Sequence, residues 1–191
     1  QKIALLKHIL KEGDYPSVII FASTKDNVKK LNEELKRTRL VAKAFHSDLE
    51  QKEREEILRE FKSKSLPILI GTDILSRGID IEGISLVINF NAPHDPEDYI
   101  HRIGRTARAE TTGTAITFIN DKDLRKLAAI ERMIGKEIPK ISLPAALGAA
   151  PEYKSGSNEP PQKRPVKKKP FRRKSGPKPN KPPHNPSQTN A

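Results

Sequence analysis

Residues 17–27, SVIIFASTKDN, join a nearly continuous apolar run to a polar, charged segment. Apolar residues at successive positions are typical of a strand buried on both faces, because strand side chains alternate between the two sides of a sheet. A helical pattern begins directly after the run, at position 25. The stretch therefore predicts a buried strand followed by a helix, which is the repeating unit of a parallel sheet.

The same unit recurs along the chain to about residue 135. The predicted strands cover residues 17–23, 41–47, 66–72, 85–91 and 114–120, and the predicted helices cover 1–12, 25–37, 50–62, 96–104 and 121–134. Gly135 is suited to end the last helix, and Pro139 and Pro144 follow it. We expect an α/β domain over residues 1–143, with a parallel sheet covered by helices on both faces.

Positive charge is concentrated at the end of the chain. Residues 151–191 hold 11 Lys and Arg against 2 Asp and Glu, so they carry +9 of the formal net charge of +12. They also hold 10 of the 16 prolines and few aliphatic residues, and so bury too little apolar surface to offset the entropy of ordering. We predict a disordered, basic tail over residues 144–191.

The composition excludes two classes of protein. The chain contains no cysteine, so neither a disulfide framework nor a thiolate metal site is expected, which suits a reducing compartment. It also has no run of 18 apolar residues, and its amphipathic start does not resemble a signal peptide. We therefore expect a cytoplasmic protein without a membrane segment.

Ligands of open parallel sheets collect beyond the carboxyl ends of the strands. The segments that follow the predicted strands are rich in polar, glycine and basic residues: STKDN, HSDLEQKER, GTDILSRGID and NAPHDPEDYIHRIGRTAR. The strand pattern and the residue types after the strands therefore both predict a functional site at the carboxyl ends of the strands.

Three arginines and a histidine surround a glycine in HRIGRTAR, residues 101–108. In a continuous helix, His101, Arg105 and Arg108 would form one stripe. A second, apolar stripe of Ile100, Ile103 and Ala107 would pack on the sheet, although the glycine can end the helix early. Two interpretations remain open: the arginines bind an anion, or they pair with the nearby acids Asp95, Glu97 and Asp98.

The segment GTDILSRGID also admits more than one interpretation. Asp73 after an apolar strand is similar to the magnesium-binding strand of a P-loop ATPase, but no P-loop precedes it. Alternatively, the backbone at the glycines approaches a phosphate, Arg77 adds a charge-assisted bond and Asp80 accepts from a hydroxyl group. A simple turn with a helix cap at Thr72 or Asp73 is the third possibility.

Two further segments carry weaker signals. Gln51 and Arg54 fall in the first turn of a predicted helix, where backbone N–H groups favour a phosphate. Thr24 and Lys25 stand at another junction of strand and helix. A solvated charged face is the alternative in both cases.

Taken together, in this order and spacing, the four segments resemble motifs of the C-terminal RecA-like domain of DEAD-box RNA helicases. IIFASTK is similar to motif IV, HSDLEQKEREEILREF to the segment with the Gln-x-x-Arg element, TDILSRGID to motif V and YIHRIGRTAR to motif VI. RecQ-type DNA helicases and chromatin remodellers usually have glutamine at the position of His101, so this histidine favours the DEAD-box branch.

The resemblance implies a role for each matching residue. Arg105 and Arg108 match arginine fingers, which reach the γ-phosphate of an ATP held by another domain. The implied ATP-binding positions are Gly78, Asp80, His101, Arg102, Arg105 and Arg108. The implied RNA-binding positions are Thr24, Lys25, Gln51, Arg54, Gly71, Thr72 and Arg77.

The resemblance also implies cofactors and partners. ATP and Mg²⁺ would be bound mainly by the N-terminal RecA-like domain, whose P-loop, Q motif and Asp-Glu-Ala-Asp are absent from this sequence. We therefore expect a monomeric fragment of a longer protein that binds RNA and is inactive alone. The tail would attract RNA phosphates, or merely add solubility. The alternatives to an RNA helicase are a DNA helicase or translocase of the same superfamily, and a standalone RNA-binding module.

Overall fold

The computed structural model describes residues 1–76, 79, 81, 83–106, 113–144 and 147–148. Five parallel strands form one sheet in the order β2-β3-β1-β4-β5. The strands are β1 Val18–Phe21, β2 Ala42–Phe45, β3 Ile68–Gly71, β4 Leu86–Asn89 and β5 Thr114–Thr117. The helices are α1 Lys2–Glu12, α2 Lys25–Lys36, α3 Gln51–Lys62, α4 Pro96–Ile103 and α5 Leu124–Ile134. The predicted fold class, with its five strands and five helices, is confirmed.

Strand β1 occupies the centre of the sheet and is buried on both sides. Val18 and Ile20 pack into one apolar cluster with residues of α1 and α2, whereas Ile19 and Phe21 pack into a second cluster with residues of α3. Burial of both faces is the physical reason for the continuous apolar run in the sequence.

Local turn chemistry sets the helix ends. The Thr24 side chain caps α2 by accepting from the N–H of Asn27, and Pro96 occupies the first turn of α4. Gly135 has φ of 71° after α5, a left-handed conformation that glycine adopts without steric cost. The predicted helix over 121–134 begins with a short 3-10 turn, Asp121–Asp123.

The expected packing face of α4 is wrong. Tyr99 and Arg102 are the buried residues of this helix, whereas Ile100 is 38% exposed. An arginine takes the inward position because its guanidinium group finds a carboxylate and two amide oxygens there, which offset its desolvation. The helix ends at Ile103, and Gly104 follows as its C-cap.

All five strands end at the same level of the sheet. Phe21 pairs in register with Gly71 and with Asn89, and these residues pair in turn with Phe45 and Thr117. The segments after the strands therefore meet at one edge, which we call the carboxyl edge. Across the described ranges, no helix combines the length and apolar character required to cross a bilayer.

Candidate functional site

The carboxyl edge collects most of the residues that the sequence singles out. Thr24 and Lys25 begin α2 after β1, Gln51 begins α3, and Gly71 ends β3. His101 and Arg102 lie in α4, whereas Arg105 follows this helix and lies beside Ile84, which precedes β4. Four of the predicted site residues, Arg77, Gly78, Asp80 and Arg108, lie outside the described residues.

Arg102 lies inside the domain, with only 1% of its surface exposed. Its Nε and Nη2 donate to the two carboxylate oxygens of Asp73 at 2.6 and 3.0 Å, a bidentate fork. Its Nη1 donates to Asn89 Oδ1 at 3.1 Å and to the carbonyl of Asn91 at 3.0 Å, and the guanidinium carbon lies 5.1 Å from the centre of the Phe21 ring. This side chain joins α4 to three strands rather than facing solvent.

Two asparagines extend this network along the edge. Asn89 donates to the Thr117 hydroxyl at 3.1 Å, and Asn91 Oδ1 accepts from the N–H of Ser23 at 3.1 Å. Ser23 precedes Thr24, the cap of α2. The segments that follow β1 and β4 are therefore fixed relative to each other by side-chain hydrogen bonds.

Arg105 binds main-chain carbonyl groups. Nη1 donates to the carbonyls of Ile79 at 2.8 Å and Ile81 at 3.4 Å, Nη2 donates to Ser76 at 2.9 Å, and Nε donates to His101 at 3.3 Å. Its hydrogen-bond acceptors therefore belong to the segment after β3 and to α4. None of these bonds involves the acids that the sequence offers as pairing partners.

The glycine at position 71 is explained by packing. An added Cβ would lie 2.3 Å from Cδ1 of Leu75 and 3.1 Å from the carbonyl oxygen of Phe45. Thr72 occupies the cap position of the short turn Asp73–Leu75 without a side-chain cap bond. Close packing at the end of β3 is a sufficient reason for a glycine here, and the contact of Gly71 with RNA stays a prediction.

A cationic cluster lies between α2 and the segment after β2. Lys25 and Lys29 bind the two carboxylate oxygens of Asp48 at 3.1 and 2.9 Å. Hydrogen bonds from Lys29 and Lys25 lower the pKa of Asp48 to about 2, so these bridges persist throughout the physiological pH range. The nearby His46 is buried, and desolvation together with the charge of Lys29 lowers its pKa, which favours the neutral ring.

The start of α3 is stabilised by its own residues. Glu50 and Glu53 form a capping box, and Gln51 donates to Glu55 at 2.7 Å. Arg54 donates to the carbonyls of Leu49 and Ser47 at 3.0 and 2.9 Å, which uses two of its five N–H groups. These two bonds anchor Arg54 and leave other N–H groups of its guanidinium able to donate to a ligand. The carboxylates of Glu50 and Glu53, in contrast, lie at the N-terminus of α3.

Sequence reasoning missed the acidic and amide partners of these cations. The sequence indicates Asp73 only as a metal ligand or a helix cap, and it does not distinguish Asp48, Asn89 and Asn91 from other polar residues. Only one signal was available: Tyr99 and Arg102 are three residues apart and therefore share a helix face. That spacing does not identify Asp73 as the residue to which Arg102 donates.

A family model described as Helicase conserved C-terminal domain matches residues 1–110. The chain belongs to this family. The ATP-dependent RNA helicase DbpA of Bacillus subtilis (strain 168) is 41% identical to this helicase domain over 164 residues, which are 84% of the chain and 34% of that protein. The chain spans about a third of the length of the curated relatives it matches.

Solved structures agree with this assignment. A DEAD box protein from the hyperthermophile Methanococcus jannaschii superposes with a TM-score of 0.69 at 41% identity, covering 74% of this chain and 39% of that one. S. cerevisiae Dbp5 bound to RNA and ADP BeF3 superposes with a TM-score of 0.67 at 35% identity, covering 72% of this chain and 38% of that one. The fold is thus the C-terminal RecA-like domain of DEAD-box helicases.

Proposed function

We propose that the chain acts as the second RecA-like domain of an ATP-dependent RNA helicase. It would supply Arg105 and Arg108 to ATP held by an N-terminal RecA-like domain, and part of the surface that binds the RNA backbone. The observation that carries the proposal is that all four motif segments begin at the carboxyl edge of a parallel sheet, where Arg102 of one segment binds Asp73 of another.

The RNA part of the proposal rests on exposed and partly exposed donors at this edge. Thr24, Lys25, Lys29 and Arg54 all lie beside the ends of β1 and β2. Cations and hydroxyl groups of this kind contact phosphates and sugars, so they position a strand without reading its sequence. A related protein, Dbp5, has been solved with RNA bound.

The nucleotide part rests on the arginines of the segment after β4. Phosphoryl transfer concentrates negative charge on the γ-phosphate oxygens, and a planar guanidinium group stabilises that charge better than an ammonium group. No group of three or more metal-binding side chains occurs within the described part of the chain. In this proposal the arginines would contact the phosphates, and Mg²⁺ would be held mainly by the N-terminal domain.

Comparison of the chain with the complete protein tests the proposal. We expect no ATP hydrolysis from the 191-residue chain alone, and RNA-stimulated hydrolysis from the complete protein, measured by phosphate release. RNA-stimulated turnover by the chain alone would contradict the proposal. Stimulation of the complete protein by DNA rather than RNA would favour a DNA translocase, and RNA binding without any ATPase activity would favour a standalone binding module.

Removal of the Asp48 charge is expected to strengthen RNA binding. In Asp48→Asn, Lys25 and Lys29 lose their shared counter-ion and can each neutralise a phosphate. We expect affinity for single-stranded RNA to rise a few-fold at low salt, with a steeper dependence on salt concentration. Fluorescence anisotropy titrations at several salt concentrations measure both quantities.

Glu56→Gln provides a matched control for Asp48→Asn. Glu56 pairs with Arg59 on the exposed face of α3 at 3.8 Å, so this variant removes the same charge outside the cationic cluster. Equal gains in RNA affinity for both variants would indicate a general charge effect and contradict a specific role for the cluster.

The basic tail is expected to add a salt-sensitive attraction to RNA. Residues 151–191 carry +9 of the net charge, and each cation that neutralises a phosphate releases a counter-ion. Deleting these residues should lower RNA affinity at low salt and flatten its dependence on salt concentration. Identical slopes with and without the tail would leave only a solubilising role.

A further inference from the structure

Three consecutive carbonyl groups between β4 and α4 each accept a hydrogen bond from a cationic side chain. They belong to residues 90–95, which we call the post-β4 segment. Lys2 donates to the carbonyl of Phe90 at 3.4 Å, Arg102 to that of Asn91 at 3.0 Å and Lys126 to that of Ala92 at 3.4 Å. The three cations belong to α1, α4 and α5. Side chains of three helices therefore meet at this one segment.

Asp123 is the shared counter-ion of two of these cations. Its Oδ2 accepts from Lys2 at 3.4 Å and its Oδ1 accepts from Lys126 at 3.2 Å. Lys2 also donates to the carbonyl of Phe118 at 3.1 Å, so all three N–H groups of its ammonium have acceptors. The Asp123 side chain is only 10% exposed, and each lysine is 25% exposed. Because charges with so little access to water need partners, the carboxylate holds both lysines on the post-β4 segment.

Local helix chemistry does not account for Lys2 and Asp123. Lys2 lies in the first turn of α1, where the helix dipole favours an acid over a base. Asp123 occupies the N-cap of α5, but its side chain binds the two lysines instead of the N–H groups of that helix. Both residues therefore forgo local stabilisation, and the contact between the helices is what their charges provide.

We infer that Asp123 is a positioning residue of the proposed nucleotide site. The post-β4 segment leads into α4 through Asp95, which caps the helix by accepting from the N–H of Glu97 at 3.0 Å. This helix carries His101, an ATP-binding position implied by the resemblance. By holding both lysines on the segment, Asp123 fixes the start of α4 before ATP binds. The inference rests on the proposed function, because it concerns the same nucleotide site.

The expected effect is on nucleotide binding rather than on turnover. Arg102 already holds the last turn of α4 to Asp73, so loss of the Asp123 carboxylate loosens only the segment ahead of the first turn. Binding of ATP would then include the cost of ordering this segment. A cost that arises on binding raises KM and leaves kcat unchanged.

Hydrogen exchange of the nucleotide-free, 191-residue chain tests the structural part of this inference. Asp123→Asn removes the shared charge, and Lys2→Met is a milder second variant that leaves Asp123 paired with Lys126. Amide exchange is measured for α4, for Phe90, whose N–H donates to the carbonyl of Phe21, and, as a check of folding, for β3.

Steady-state kinetics of the complete protein test the functional part. KM for ATP and kcat are measured at saturating RNA, together with RNA affinity in the absence of nucleotide. The matched control is Glu131→Gln, which removes another carboxylate of α5 that binds a lysine, Lys140 at 2.6 Å, near the other end of the helix. A smaller folded fraction would lower the apparent kcat at unchanged KM, so this comparison separates positioning from general destabilisation.

We expect Asp123→Asn to exchange the amides of Phe90 and of the first turns of α4 about tenfold faster, with β3 unchanged. KM for ATP should rise about fivefold, with kcat and RNA affinity within about twofold of the wild type. Lys2→Met should show smaller changes in the same direction, and the control should match the wild type. Unchanged exchange, or faster exchange with unchanged KM, overturns this inference alone. Absence of RNA-stimulated ATP hydrolysis by the complete wild-type protein overturns the proposed function itself.

Discussion

If the proposed function holds, replacing Arg108 by alanine in the complete protein should reduce RNA-stimulated ATP hydrolysis by about 10³-fold to 10⁵-fold. An arginine supplied from a second domain stabilises the charge that develops on the γ-phosphate oxygens, in a closed site where water competes poorly. The substitution removes this charge, and the resemblance does not place Arg108 among the RNA-binding positions. Steady-state phosphate release at saturating RNA measures the effect on kcat.

Arg108→Ala is a cleaner test of the fingers than Arg105→Ala. Arg105 also donates to the carbonyls of Ser76, Ile79 and Ile81, so its loss is expected to disturb the domain's own main-chain contacts together with turnover. A suitable control is Arg37→Ala, which removes an exposed arginine at the end of α2. Turnover of Arg108→Ala within a few-fold of the wild type, or a loss explained by weaker RNA binding, would refute the finger assignment.

The second large effect is expected at Asp73. Its carboxylate binds the guanidinium of Arg102, which is 1% exposed, whereas the Asp73 side chain is 36% exposed. In Asp73→Asn the shape is kept, but a buried positive charge loses its counter-ion, and an amide N–H group faces the guanidinium group. We expect the free energy of unfolding to fall by about 3 kcal/mol, measured by urea denaturation of the 191-residue chain.

Arg102→Met should cost less, about 2 kcal/mol, although it removes the larger side chain. The carboxylate of Asp73 would then remain half exposed, where water can solvate it, and the uncompensated charge would not be buried. Glu56→Gln, which breaks an exposed pair with Arg59, should change stability by less than about 0.5 kcal/mol. A loss for Arg102→Met equal to or larger than that for Asp73→Asn would contradict the buried-charge explanation.

Much of the fold could be predicted because its signals are local. The apolar run at 17–23 shows burial of β1 on both faces, and Thr24 and Gly135 mark helix ends through capping and a left-handed backbone. Predicted strands were longer than observed, because the apolar pattern does not show where pairing between neighbouring strands ends. The boundary near residue 143 stays a prediction.

The candidate site was predictable as a location but not as a set of contacts. Since parallel strands end together, motif segments after different strands had to begin at one edge, and they do, although Arg105 lies farther along, beside Ile84. The residues that each cationic side chain contacts could not be predicted in this way. Arg102 was expected near the nucleotide, yet its guanidinium group is enclosed by Asp73, Asn89 and Asn91.

By itself, the sequence determined the succession of strands and helices along the chain, the end of the strands at which the motifs begin, and the membership of the helicase family. Only the tertiary structure decided which cations are bound within the domain. Arg102 is 29 residues from Asp73, and Lys25 is 23 residues from Asp48, so no helical or strand period relates the partners. The order β2-β3-β1-β4-β5 and the shared register bring them within hydrogen-bond distance.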